Sequence, residues 1–128
     1  MPNVLHWTLV FTPSSLEHLA ERDIAAEDVV DAVFGYFGPS YVRKSGREQK
    51  TRWLVLAPLE GGEFLSCILR QALPRDVKTE GAFVISATGV PEETGGVKAS
   101  TRLCVSARLA SPDEVRIYRA WRRQKGGS

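Results

Sequence analysis

Residues 51–70 read TRWLVLAPLEGGEFLSCILR, two runs rich in β-branched and aromatic residues joined by Glu60-Gly61-Gly62. Adjacent glycines between such runs are the signature of a tight antiparallel hairpin. A turn centred on Gly61 sets Arg52 opposite Arg70, because both lie nine positions from it. A slip of one residue would put the two arginines on opposite faces. With a hairpin at its centre, the chain has to build an antiparallel sheet and then cover at least one face of it.

The flanking segments supply the cover. VLHWTLVF (4–11) alternates, with Leu5, Trp7, Leu9 and Phe11 on one side, and reads as a strand. Thr12-Pro13 opens a helix, Thr as the cap and Pro at the first helical position, with Leu16, Leu19 and Ala20 as its apolar stripe. Ile24 packs in the connection. AAEDVVDAVFG (25–35) is a second helix, acidic in its first turn, with Val29, Val30 and Val33 inward and Gly35 as its stop. Residues 35–50 are turn-rich, with one short strand at Tyr41–Lys44. AFVISAT (82–88) reads as a strand, GVPEETGGVKAS (89–100) as a flexible loop, and TRLCVSA (101–107) as a strand. SPDE (111–114) then starts the last helix with a capping box between Ser111 and Glu114 and with Pro112 at the first helical position. On that helix Val115, Tyr118 and Trp121 dock on the sheet, while Arg116, Arg119 and Arg123 share another face. The tail, 124–128, is expected to fray.

This order predicts one α+β domain over 1–128, with two N-terminal helices and a C-terminal helix packed on a mainly antiparallel sheet of about four to six strands. A length of 128 residues fits a single domain. No apolar run approaches a membrane span, and MPNVLHWTLVF lacks the features of a secretory signal, so a cytoplasmic location is expected. Cys67 and Cys104 read as small buried residues within strands. CxxC and HExxH patterns are absent and His6 and His18 are far apart, so neither a metal nor a cofactor is expected.

The net charge of +2 hides an uneven distribution: −5 over residues 1–34, +4 over 35–52, −2 over 53–101 and +5 over 102–128. Charge separated in this way predicts an acidic region and a basic face. A basic face attracts phosphates, although for charge counts alone a solvated surface is usually the better explanation. Arg108, Arg116, Arg119, Arg122 and Arg123 crowd the last strand and helix.

The segment SARLASPDEVRIYRAW resembles the ending of BrnT-like toxins, through Ser106, Ala107, Arg108, Ala110, Glu114 and Tyr118. LEHLAERDIAAEDVVDAV (16–33) resembles the paired opening helices of that family, and the 51–70 hairpin resembles its central hairpin. The likeness covers about three quarters of the chain in matching order. Two departures stand out. Arg22 and Asp23 replace the family's turn histidine and the glycine after it, and residues 72–101 look like an insertion before the last strand. The resemblance implies a RelE-like fold, a toxin-like ribonuclease and a neutralising antitoxin protein.

Metal-independent RNA cleavage needs a group to accept the 2′-hydroxyl proton, cations to stabilise the crowded phosphorus centre, and a donor for the leaving oxygen. Arginine suits the second task because it stays charged and presents paired N–H groups to phosphate oxygens. Arg52, Arg70 and Arg108 are the candidates for it, with strand-end ion pairing as the structural alternative. For proton transfer the candidates are His18, Glu114 and Tyr118. Their structural alternatives are a surface histidine, the capping box and core packing. Arg43, Lys44, Arg47, Arg116, Arg119 and Arg123 are expected to hold the nucleic acid. The competing reading is a binding module that uses the same basic face for a nucleic acid or a protein, without catalysis.

Overall fold

The computed structural model describes residues 4–87, 91–92 and 99–127. Its strands are β1 (Thr8–Phe11), β2 (Tyr41–Ser45), β3 (Arg52–Pro58), β4 (Phe64–Gln71), β5 (Phe83–Ile85), β6 (Pro91–Glu92) and β7 (Thr101–Leu109). Its helices are α1 (Pro13–Ala20), α2 (Ala26–Val33), α3 (Pro74–Lys78) and α4 (Pro112–Arg122). One sheet holds all seven strands in the order β2-β3-β4-β7-β1-β5-β6. Every neighbouring pair is antiparallel except β1 with β7. The fold is therefore α+β around a mixed, mainly antiparallel sheet. The strand number exceeds four to six because the two-residue β6, in the segment read as a loop, pairs with β5, which forms within the strand expected at 82–88.

The hairpin takes the Gly61-centred register, with Pro58 opposite Phe64 and Arg52 opposite Arg70. Gly61 and Gly62 have φ of 90° and 89°, a backbone that residues with a Cβ adopt only under strain. Capping fixes the helix starts. Thr12 accepts from the Ser15 N–H and Ser111 from the Glu114 N–H, and each third-position side chain returns the bond. The turn after α1 closes with Ile24 N–H donating to the Leu19 carbonyl, and Asp23 there takes φ 58°. Aspartate is one of the few non-glycine residues that enters this left-handed region readily.

Directly paired residues share a sheet face, so register and burial divide the core in two. Trp7, Leu9 and Phe11 pack with Trp53, Val55, Ala57, Leu65, Cys67, Leu69, Cys104 and Ala107 under α1 and α2, through Leu19, Val29 and Val33. On the other face a smaller cluster of Val10, Val84, Leu103, Ala72 and Val77 gathers under α3. At the far end of that face α4 lays Tyr118 against Phe64 and Trp121 against Tyr41. The Tyr118 hydroxyl donates to the Pro39 carbonyl at 2.6 Å. Gly38, just before Pro39, lies close on β3: a Cβ there would stand 2.6 Å from the Pro58 side chain.

Inside the larger core lies a cation. Arg102 of β7 stacks on Trp53 at 3.9 Å and Trp7 at 4.9 Å from the ring centroids. It also donates to the Gln71 side chain and the Ala99 carbonyl. Burial lowers its pKa, and its Nε has no hydrogen-bond partner. The ring faces offset part of the lost hydration.

Several sequence expectations need correction. The first strand does not reach back to Val4: Val4–His6 is a 3₁₀ turn, and only Thr8–Phe11 pairs in the sheet. Ala20 is exposed, and Ser15 is buried in its place on α1. Helix α3 was not expected. Of the segment read as a flexible loop, residues 89–90 and 93–98 lie outside the described residues. Helix α4 continues through a π-helical turn, Arg123–Gly127, into the tail.

Replacing Arg102 by alanine removes the stacked cation and leaves a void between two tryptophans. We expect the variant to lose roughly 3 kcal/mol of stability, read as a lower urea midpoint at unchanged slope. A midpoint equal to wild type would mean that the stack contributes nothing.

Candidate nucleic-acid interface

Pairing across four strands sets the arginines in rows on the face between α3 and α4. Ser45, Arg52, Arg70 and Leu103 form one row. Arg43, Leu54, Ile68 and Ser106 form the next, and Tyr41, Leu56, Ser66 and Arg108 the third. Arg108 joins this face because of an irregularity. β7 pairs Cys104 with Leu69 and Ser106 with Ile68, so Val105 is a bulge. The extra residue reverses the alternation, and Leu103 and Arg108, an odd number of positions apart, point the same way. Ser66 lies four positions from Arg70 on β4, which places Arg108, opposite Ser66, about 13 Å along the strands from Arg70. That separation suits an extended ligand touching several cations rather than one small anion.

Two of these arginines are held by carboxylates. Asp76 of α3 receives both terminal nitrogens of Arg70, at 2.9 and 3.1 Å, together with the Leu73 N–H at 2.7 Å. Glu114 of α4 receives Arg108 at 2.7 Å, the Ser66 hydroxyl at 2.9 Å and the Ser111 N–H at 2.9 Å. Each carboxylate occupies the third position of its helix and also closes the helix start. Burial alone would raise the Glu114 pKa, but the bonds from Ser111, Arg108 and Ser66 outweigh it and the net shift is downward. Asp76 is lowered in the same way, by Arg70 and the Leu73 N–H against its burial. Ion pairing and phosphate contact are thus not exclusive readings of these arginines: the pairs fix the guanidinium groups in place and offset part of their charge.

The remaining candidates spread more widely. Lys44 lies opposite Trp53 and stacks over its ring at 6.0 Å, on the face away from Arg43. Strand alternation separates the two lysine and arginine neighbours, so they do not act together. Arg47 is exposed in the turn before β3. Arg116 and Arg119 are exposed on α4 and Arg123 in the π-helical turn after it, Arg116 paired with Asp113 and Arg119 over the Phe64 ring. Tyr118 is buried, and burial raises its pKa against the lowering influence of Arg122. His18 is exposed on α1, 3.9 Å from Glu21, and lines a cavity of about 410 Å³ together with Arg70. Sequence reading missed Asp76, Ser66 and Arg75. The Asp76 signal was present as Pro74 followed two residues later by an acid, the pattern that starts a helix.

The acidic residues collect elsewhere. A groove of about 530 Å³ near the hairpin turn is lined by Asp23, Asp28, Asp31, Glu60 and Glu63. Burial first, and then the neighbouring Asp28, Glu27 and Glu60, raise the Asp31 pKa. Among the described residues, no three His, Cys, Asp or Glu side chains gather closely enough to hold a metal ion. No helix among them is long and apolar enough to cross a membrane.

The lowered Glu114 pKa has a definite sign in stability. Its contribution is present above the ordinary value of 4.5 and is lost as pH falls through the lower folded-state value. We expect Glu114→Gln to lower the urea midpoint at pH 7 and to flatten its decline below about pH 4.5. Parallel midpoint curves for the two proteins between pH 7 and 3 would show that Glu114 gains nothing from its three donors.

No protein-family model, no curated protein and no solved structure matches the chain.

Proposed function

We propose that the protein binds RNA along the sheet face that carries Arg43, Arg52, Arg70 and Arg108. We further propose that it acts there as a toxin-like, metal-independent endoribonuclease of RelE-like fold, restrained by an antitoxin protein. The observation that carries the reading is the alignment of four arginines from four strands on one face, two of them braced by carboxylates. Braced guanidinium groups suit the charge that builds on a phosphate during cleavage, because they need no rearrangement to meet it. The BrnT-like pattern around Arg108 adds to this, as does Asp23, whose left-handed backbone suits a position where that family carries glycine. The acids of the first two helices face other surfaces, so an antitoxin covering the arginines would itself be acidic there.

A second reading, binding without cleavage, is favoured by the state of the proton-transfer candidates. Glu114 accepts from three donors and is a weak base. The Tyr118 hydroxyl is committed to Pro39. His18 is then the remaining candidate for the general base.

Both readings predict RNA binding that weakens with salt. Four phosphate contacts on a single strand give a slope of log K against log salt of about −3, and Arg52→Gln should reduce its magnitude by about 0.7. Absence of binding at low salt would remove both. Cleavage separates them. Induced expression in a bacterial host should arrest growth and degrade RNA for the wild type, and Arg108→Ala should cut the rate on the order of 10²–10³-fold. Intact RNA and normal growth for both proteins would leave the binding module.

A further inference from the structure

The sheet face ends at a cavity that shares only Arg70 with the binding face. β1 ends at Phe11, while β7 runs on past Leu103, the last of its residues to pair with β1. α1 and α3 flank the uncovered edge, and the cavity of about 410 Å³ lies between them. Arg70, Arg75 and His18 line it with positive or protonatable groups, and Ser14 adds a hydroxyl. Leu103 and the bulged Val105 give it an apolar wall. Its carboxylate, Asp76, is already engaged by Arg70 and by the Leu73 N–H. A second cavity of about 410 Å³ continues from the same pair, Arg70 and Arg75, toward Arg52.

We propose that the cavity between α1 and α3 is a site for a single nucleotide unit. Its phosphate lies against Arg75, Arg70 and His18, and its base lies on the wall of Leu103 and Val105. The volume is in the range that encloses a small ligand, and an apolar wall beside a few convergent polar groups is the usual make-up of such sites. Guanidinium groups match phosphate oxygens with paired N–H bonds. A simple anion would use the cations but leave Leu103 and Val105 without a role. A purely apolar ligand would strand the charges. The continuity through Arg70 toward Arg52 lets one RNA strand lie on the sheet face and place one nucleotide in the cavity. This deepens the RNA-binding reading and rests on it for the source of the nucleotide. The same chemistry accepts a free nucleoside monophosphate.

The test is a titration of the ¹⁵N-labelled full chain with each of the four ribonucleoside monophosphates, with inorganic phosphate as comparator. At least one nucleotide should shift the Ser14, Arg75 and Val105 amides and bind about tenfold more tightly than phosphate. Arg75→Gln, an exposed substitution, should weaken that nucleotide about tenfold, the usual effect of losing one charge-assisted contact. No shifts at millimolar nucleotide, affinity no greater than that for phosphate, or no effect of Arg75→Gln would each overturn the proposal. An RNA oligonucleotide separates the sources. RNA binding that depends on Arg43 and Arg52, with no nucleotide binding in the cavity, overturns the cavity and leaves the RNA face. Nucleotide binding without RNA binding supports the cavity and removes the RNA face.

Discussion

Arg102 between Trp7 and Trp53 is the contact on which the rest of the sheet depends. It reaches from β7 to the residue before β1, to β3, and through Gln71 to β4. Those are the central strands, and the parallel joint of β1 with β7 lies beside them. A buried guanidinium is costly unless something replaces its water. Here two indole faces, a side-chain amide and backbone carbonyls do so. The arrangement ties the first strand of the chain to the last and holds both against the hairpin. That tie adds to the direct pairing of β7 with β4, which sets Leu103 opposite Arg70 and Arg108 opposite Ser66.

The parts of this architecture that can be read in the sequence are those set by local chemistry. The two glycines fix the hairpin register and therefore the Arg52–Arg70 pairing. Ser111, Pro112 and Glu114 fix the start of α4. The parts that cannot be read depend on distant residues. Leu73 offers no capping oxygen, so α3 begins without a polar N-cap and is held instead by Asp76, which accepts from the Leu73 N–H and from Arg70 at the end of the preceding strand. Arg102 looks like any other strand arginine until two tryptophans separated by 46 positions close around it. Val105 lies in a run that alternates plausibly in either phase, and only pairing with β4 decides which residue is extruded. Of the candidate site, the arginines of the sheet face were identifiable as a set. Their carboxylate braces, the opposite placement of Lys44, and the meeting of His18 with Arg70 in one cavity were not.

The two braces share a design. In each case a third-position acid closes the start of a helix and at the same time holds a strand arginine. The geometry of the guanidinium is thereby linked to the integrity of a helix end. The charge offered to a ligand is smaller than a count of arginines suggests, but its position is better defined. For binding to a polyanion, count matters more; for stabilising charge at one phosphorus atom, position does.

The bulge at Val105 bears on how such a face can arise. Strand alternation is a two-valued property, so one inserted or deleted residue exchanges everything beyond it between the two faces. Were Val105 taken into a regular ladder instead of being extruded, Arg108 would fall opposite Leu65 and turn toward the helices, with Ala107 outward and no change in composition. Extruding or incorporating one strand residue is thus a switch between a packing residue and a surface cation. In this chain the switch stands in the position that adds Arg108 to the arginines of its neighbours.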